Sequence, residues 1–194
     1  MGCLKALVQD LRGVVHRESD PEKICHGVGD LLRYYSELPI EIPAHLRQGG
    51  DGCYARHLIH RDGPDGFCVV AMVWGPGQGT PIHDHGGTWC VEGCIEGRLE
   101  ITSYRCQALD DQRLRFQPES TLAVGQGSVG CLIPPFEHHR VHNPYSENAL
   151  TIHVYGQELK KCRRFHHERE DVYRCESVQL CYSSRPESDS LYFK

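Results

Sequence analysis

The stretch Gly77-Gln-Gly-Thr-Pro-Ile-His-Asp-His85 places two histidines one residue apart, directly after a turn rich in glycine. In an extended chain, the side chains of residues i and i+2 point to the same face. His83 and His85 can therefore present two imidazoles to a single metal ion. Two surface histidines in a turn would give the same pattern, so this stretch alone leaves both interpretations open.

A second group of histidines lies further along the chain, in Pro134-Pro-Phe-Glu-His-His-Arg-Val-His-Asn143. A β-barrel can bring residues from distant strands to the same interior position. One histidine of this group could then lie opposite the first pair. The residue types alone do not choose among His138, His139 and His142.

The segment Ala149–Tyr155 alternates between two kinds of side chain. One face is aliphatic, and the other carries Thr151, His153 and Tyr155. This pattern fits a barrel wall that lines a polar cavity. The alternative is a half-exposed strand whose three polar residues face water.

The surrounding sequence is dominated by short β-type runs that are separated by Gly and Pro turns. These runs are Cys53–His60, Phe67–Trp74, Thr88–Ile95, Arg98–Cys106, Val129–Ile133 and Ala149–Tyr155. Many short strands at close spacing are typical of a sandwich or a barrel. We therefore predict a mainly β fold class.

The N-terminal part of the chain has helical rather than β patterning. One helix is marked by apolar residues at helical spacing, namely Leu4, Leu7, Val8, Leu11 and Val15. A second is expected to begin after Asp20, a good N-cap residue, with Pro21 at its first position. We expect a helical region over 1–50 that packs on a barrel over 51–170. Residues 171–194 have no clear pattern and are expected to form a tail, within a single domain overall.

Charge and hydropathy exclude two classes of partner. The formal net charge of the 194 residues is −5, so no overall basic field favours nucleic acid or an anionic membrane. A short basic stretch, Lys160, Lys161, Arg163 and Arg164, is closely followed by acidic residues and is interpreted as a solvated, mixed surface. No segment approaches the roughly 18 consecutive apolar residues of a membrane helix.

The eleven cysteines are an odd number without a Cys-x-x-Cys pair. The absence of a Cys-x-x-Cys motif argues against a structural zinc site. The first nine residues contain no long apolar run, so no signal peptide is expected. These features favour free thiols in a reducing cytoplasm.

Together, the two histidine segments resemble the motifs of the cupin superfamily, Gly-x5-His-x-His followed by Pro-x3-His-x3-Asn. The resemblance implies a double-stranded β-helix barrel that holds a metal ion with His83, His85 and His139. A glutamate ligand commonly follows the second histidine by four or five residues in cupins. Trp89 and Cys90 occupy those positions in this chain.

The absence of this glutamate ligand is similar to the pattern of the cysteine dioxygenase family. Further segments of the chain also match that family. Tyr54-Ala-Arg56 resembles the family's Tyr-x-Arg, and Thr151-Ile-His-Val-Tyr155 resembles its Ser-x-His-x-Tyr. Cys90 matches a cysteine that some members cross-link to the tyrosine through a thioether bond. The resemblance covers roughly residues 1 to 170 and is most specific in these motifs.

The resemblance implies an enzyme with one Fe(2+) per chain that adds both atoms of O₂ to the sulfur of L-cysteine. It implies that Arg56 binds the substrate carboxylate and that Tyr54 shapes the pocket wall. Tyr155 would donate a hydrogen bond to bound substrate or oxygen. His153 would orient Tyr155, with Thr151 behind it.

Two other functions remain open at this point. One is a dioxygenase of 3-mercaptopropionate, whose relatives tend to have Gln in place of Arg56 and Gly in place of Cys90. The other is a non-catalytic metal-binding cupin, and imidazole ligands also suit Zn, Ni and Cu. In each case we expect a cytoplasmic monomer, with a small thiol and O₂ as the partners of the enzyme.

Overall fold

The computed structural model describes residues 4–64 and 66–184, which form a short helical region followed by strands. The helices are α1 (Leu4–Val15) and α2 (Pro21–Glu37), and a 3₁₀ turn spans Ala44–Arg47. The strands are β1 (Ala55–Arg61), β2 (Cys68–Trp74), β3 (Ile82–His83), β4 (Cys90–Glu96), β5 (Arg98–Ala108), β6 (Arg113–Gly125), β7 (Val129–Leu132), β8 (His139–His142), β9 (Ala149–Tyr155), β10 (Lys161–Arg169) and β11 (Val172–Gln179).

The strands form two antiparallel groups. Five of them make a sheet in the order β1-β2-β9-β4-β7, and six pair as a closed ring in the order β10-β11-β6-β5-β8-β3. The ring closes because the short strand β3 pairs with both β8 and β10. The prediction of a mainly β barrel with a short helical N-terminal region is confirmed.

The two helices cover the outer face of the five-stranded sheet. The side chain of Asp20 accepts a hydrogen bond from the backbone N–H of Glu22, so the predicted cap of α2 is confirmed. Leu7 and Leu32 are almost inaccessible and share one apolar cluster with the aliphatic faces of β2 and β9. Neither helix in the described residues has the length and apolar content that a membrane crossing requires.

Strand β9 is buried on both faces, which settles the choice left open by its alternation. Ile152 and Val154 pack in the cluster beneath the helices. His153 and Tyr155 point the other way and are also buried, at 4% and 3% exposure. The half-exposed alternative is therefore wrong, and the polar face of β9 lines the interior.

Five strands were not predicted, and most of them have exposed, charged faces. Strands β6, β10 and β11 each contain many exposed residues, so hydrophobic periodicity does not reveal them. Strand β11 lies within the segment that was expected to be a patternless tail. The expectation for residues 185–194 lies outside the described residues.

The segment after β11, residues 180–184, runs alongside β1, and we call it the strap. The backbone N–H of Ser183 donates to the carbonyl of Arg56 at 2.7 Å, and that of Leu58 donates to the carbonyl of Ser184 at 3.1 Å. The backbone N–H of Arg56 in turn donates to Ser183 Oγ at 3.1 Å. These bonds fix the end of the described chain beside Arg56.

Candidate metal centre

Three histidines from separate parts of the barrel converge on one point. Strand β3 pairs His83 directly with His139 of β8, and His85 follows β3 at a turn. Gly86 and Gly87 of that turn have φ angles of 62° and 84°, a backbone region that residues other than glycine rarely adopt. One nitrogen from each of the three rings lies within 4.8 Å of the other two, so the group can hold a metal ion.

The second histidine motif offered three candidates, and one of them reaches this point. His138 is turned away and packs against the rings of Phe116 and Phe165, with centroid distances of 5.3 Å and 5.5 Å. The ring of His139 lies 4.6 Å from that of His83. The geometry therefore favours His139 over His138, as the cupin resemblance implied.

Hydrogen bonds on the outer side of two of these rings fix which nitrogen faces inward. Nδ1 of His83 donates to the carbonyl of Pro81 at 3.2 Å. Nδ1 of His85 donates to the carboxylate of Glu137 at 3.0 Å, and the backbone N–H of His85 donates to the same oxygen at 2.8 Å. The proton of each ring is therefore on Nδ1, and the lone pair of Nε2 is free for a metal ion. Nε2 of His83 lies 3.2 Å from Nε2 of His139.

A second buried carboxylate, Glu92 of β4, lies behind the cluster. Its two oxygens are 3.5 Å from Nδ1 of His139 and 3.6 Å from Nδ1 of His153. Thr151 Oγ accepts a hydrogen bond from the indole of Trp74 at 2.9 Å and lies 2.8 Å from Nε2 of His153. If the hydroxyl of Thr151 donates to Nε2 of His153, the ring proton of His153 is on Nδ1 and faces Glu92.

Burial and neighbouring charges set the protonation of the cluster. Burial lowers the pKa of His83 well below its usual value, and His139 and His85 lower it further. Burial also lowers the pKa of His85, although Glu137 partly opposes this. Burial raises the pKa of Glu92, but the neighbouring histidines His139, His153 and His85 together outweigh it, and the pKa falls to about 2. Neutral rings of His83 and His85 near an ionised Glu92 favour the binding of a divalent metal ion.

The cluster opens into a cavity that contains a buried arginine. Arg56 of β1 is 5% exposed, and its Nη1 donates to the carbonyl of Cys181 in the strap at 3.5 Å. Its guanidinium lies over the ring of Tyr182, 5.1 Å from the centroid. Nη2 has no hydrogen-bond partner among the described residues. A buried, partly unpaired cation beside a metal site is suited to an anionic ligand.

A second guanidinium lines the same cavity, which corrects the interpretation of the basic stretch. Arg164 is half-buried, is paired in register with His83, and lies 3.5 Å from the hydroxyl of Tyr54. Cys162, two residues earlier on β10, also lines the cavity. Tyr54 in turn stacks on Trp74 with a centroid distance of 4.6 Å. The alternation of side chains along β10 turns Cys162 and Arg164 inward. The high charge of the stretch favoured a surface interpretation, so this orientation was not predicted.

Tyr155 occupies the cavity wall between two cysteines. In register, it pairs with Cys90 on β4 and with Cys68 on β2. Burial raises the pKa of Tyr155 and that of Cys90 well above their usual values, so the phenol and the thiol are both neutral. The ring of His153 stacks on that of Tyr155 at 6.0 Å, but the Tyr155 hydroxyl contacts Met72 Sδ at 4.0 Å. The contact between His153 and Tyr155 is therefore between rings.

The sequence interpretation missed the two carboxylates. It considered a carboxylate at the positions of Trp89 and Cys90, where none exists, and did not examine Glu92 or Glu137. A detectable signal was present for Glu92, because it is a charged residue inside the otherwise apolar run Cys90–Ile95. A charged residue in a buried strand usually has a specific partner.

Comparison with known proteins identifies the family. The model of the family described as cysteine dioxygenase type I matches residues 44–168. Cysteine dioxygenase type 1 of Danio rerio is 27% identical over 115 residues, which are 58% of this chain and 55% of that protein. The Bos taurus protein of the same name is 27% identical over 163 residues, 80% of this chain and 77% of its own.

In the first of these matches the chain spans about half the length of its curated relative. The solved structure of an uncharacterized conserved protein with a double-stranded beta-helix domain, from Klebsiella pneumoniae, aligns with a TM-score of 0.47 and 17% identity over 62% of this chain and 91% of its own. The family model matches more than half of the sequence, and the resemblance seen in the motifs is confirmed. The chain belongs to the type I cysteine dioxygenase family.

Proposed function

We propose that this chain is a thiol dioxygenase that uses one Fe(2+) to add both atoms of O₂ to the sulfur of L-cysteine, which gives cysteine sulfinic acid. The observation that carries the proposal is the position of Arg56, buried and partly unpaired, in the cavity that the three histidines also line. Iron held by His83, His85 and His139 would supply a centre that takes up both a thiol sulfur and O₂. The protein then orients the two reactants.

Arg56 is proposed to bind the substrate carboxylate. Its free Nη2 can donate to a carboxylate oxygen, and a guanidinium presents several N–H groups in a planar fork. Tyr54 and Arg164 lie on the wall of the same cavity, so a second positive charge favours an anionic substrate. A thiol with a nearby carboxylate fits this cavity better than one without.

Tyr155 is proposed to donate a hydrogen bond to the bound substrate or oxygen. Its phenol is neutral, and the 4.0 Å contact with Met72 is weak, so its proton remains available. The ring of His153 supports that of Tyr155, and Thr151 holds His153 through Nε2. These three residues act on the substrate side of the metal ion.

We also propose that Cys90 forms a thioether with Tyr155. The new bond would join Cys90 Sγ to the ring carbon next to the hydroxyl. The S–H and ring C–H bonds would break, and O₂ would take up the two protons and two electrons to give hydrogen peroxide. Intact mass and peptide mapping after cycling with iron, O₂ and cysteine test this. We expect a chain lighter by two hydrogens in the wild type and in Cys68→Ala, but not in Cys90→Ala. Unmodified Cys90 and Tyr155 peptides in full yield would exclude the bond.

The function itself is tested by O₂ uptake with a panel of thiols. Protein reconstituted with iron under anaerobic conditions is mixed with O₂ and with L-cysteine, cysteamine or 3-mercaptopropionate. We expect L-cysteine to drive the fastest uptake and the sulfinic acid to appear by mass spectrometry. A preference for 3-mercaptopropionate would overturn the proposed substrate. Iron-loaded protein that consumes no O₂ with any thiol would be a non-catalytic metal-binding cupin. The cytoplasmic location remains a prediction from the cysteine content.

A further inference from the structure

The proposed ligands do not balance the charge of the metal ion that they would bind. Three neutral imidazoles contribute no negative charge to a 2+ ion. The positions at which cupins commonly place a glutamate ligand hold Trp89 and Cys90. A divalent ion at this point would therefore sit, with its full charge, in a buried part of the barrel, and desolvation of an uncompensated charge is costly.

Two carboxylates lie immediately outside the histidines. Glu137 is 4% exposed, and a single oxygen accepts both the Nδ1 proton and the backbone N–H of His85. Glu92 is 5% exposed, and its two oxygens face Nδ1 of His139 and Nδ1 of His153. In the described part of the chain, the ion-pair partners found for both carboxylates are imidazoles, not lysine or arginine.

We propose that Glu92 and Glu137 are positioning residues of the metal centre and together balance the charge of a 2+ ion. Glu137 holds the ring of His85 by a hydrogen bond from Nδ1, and Glu92 faces Nδ1 of His139, which has no hydrogen-bond partner among the described residues, at 3.5 Å. The carboxylate that other cupins use as a direct ligand is replaced here by two carboxylates one imidazole further out. A carboxylate hydrogen-bonded to a ligating histidine fixes its tautomer and raises its basicity. This inference rests on metal binding at the three histidines, which is part of the proposed function, and not on the identity of the substrate.

Glu92 also lies between the metal site and the substrate wall, because it faces a residue on each side. Through His139 it contacts a proposed ligand of the metal ion, and through His153 it contacts the ring that stacks on Tyr155. Gly130 of β7 is placed against it, since a Cβ at that position would lie 3.4 Å from Glu92 Oε1. The barrel wall thus leaves room for this carboxylate, which links the metal site to the substrate wall.

The test compares iron affinity in the full-length protein and in single variants. Fe(2+) dissociation constants are measured anaerobically by competition with a chelator for wild type, Glu92→Gln and Glu137→Gln. We expect each variant to bind iron about 10- to 100-fold more weakly. The Fe(III)/Fe(II) midpoint potential of Glu92→Gln should shift to a more positive value, because loss of a negative charge near the ion disfavours Fe(III) more than Fe(II).

Glu158→Gln is the matched control. Glu158 is also buried, with 5% of its side chain exposed, but it pairs with Arg61 at 3.0 Å and with Lys160. The iron affinity and the Fe(III)/Fe(II) midpoint potential of Glu158→Gln should equal those of the wild type. If Glu137→Gln folds poorly, Glu92→Gln decides alone. Wild-type affinity and potential in Glu92→Gln would overturn this inference and leave the metal site intact, whereas a wild-type protein that binds no iron would overturn both.

Discussion

At the scale of single residues, substrate choice depends on the surroundings of Arg56. The strap supplies the carbonyl of Cys181 and the ring of Tyr182, which hold the guanidinium in place without neutralising it. The sequence motif Tyr-x-Arg pointed to this residue, but its burial and its unpaired Nη2 come only from tertiary structure. The same holds for Glu92 and Glu137, whose partners are distant in sequence.

We predict that Arg56→Ala discriminates between thiols with and without a carboxylate. A hydrogen bond to a charged group is worth about 1.5–3 kcal/mol. Because about 1.4 kcal/mol corresponds to a factor of ten, kcat/KM for L-cysteine should fall by roughly 10- to 150-fold. Turnover of cysteamine, which has no carboxylate, should change little. Steady-state O₂ uptake measures both substrates.

Arg56→Lys is the control for charge without the planar fork, and it should retain part of the activity with cysteine. Equal losses of kcat/KM for cysteine and cysteamine in Arg56→Ala would remove Arg56 from the role of carboxylate ligand.

At the scale of elements, the parts with clear apolar periodicity or capping were predictable. Helix α2 has both an N-cap and an apolar stripe, and β9 alternates between an aliphatic and a polar face. Strands β10 and β11 carry charged and exposed side chains, so their existence depends on pairing with strands elsewhere in the chain. The strap could not be predicted from sequence periodicity either, because its backbone hydrogen bonds are made to the distant strand β1.

We predict that the strap stabilises the fold and the substrate side of the site. Two truncated chains are compared, one ending at Ser184 and one ending at Gln179. The shorter chain loses the backbone bonds of the strap to β1 and the contacts of Cys181 and Tyr182 with Arg56. It should melt at a lower temperature and show a higher KM for L-cysteine. Identical melting temperatures and KM values for the two chains would show that the strap contributes to neither.

At the scale of the whole molecule, burial keeps several histidines of the described interior neutral. Burial is the largest cause that lowers the pKa of His60, of His83 and of His153, the last to about 4. In the unfolded chain such groups titrate near 6.5. Below that pH the unfolded chain therefore binds more protons than the folded one, and stability decreases as pH falls.

We predict that the metal-free protein loses unfolding free energy between pH 6.5 and pH 4. The loss should reach at most about 1.4 kcal/mol per pH unit for each histidine involved. Urea denaturation at a series of pH values measures it. His60→Gln should give a shallower dependence, whereas a change at exposed His26 to Gln should leave the dependence unaltered. Stability that is constant or rises on acidification would contradict this account.

The claim on which the rest depends is that His83, His85 and His139 hold one iron ion. Iron content after anaerobic reconstitution and desalting tests it most directly, with His138→Ala as the neighbouring control. His138 packs against two phenylalanine rings, so its loss affects packing and not the cluster. The account predicts one bound iron per chain in the wild type and in His138→Ala, and almost none in His139→Ala. Iron that is retained in His139→Ala and lost in His138→Ala would contradict it.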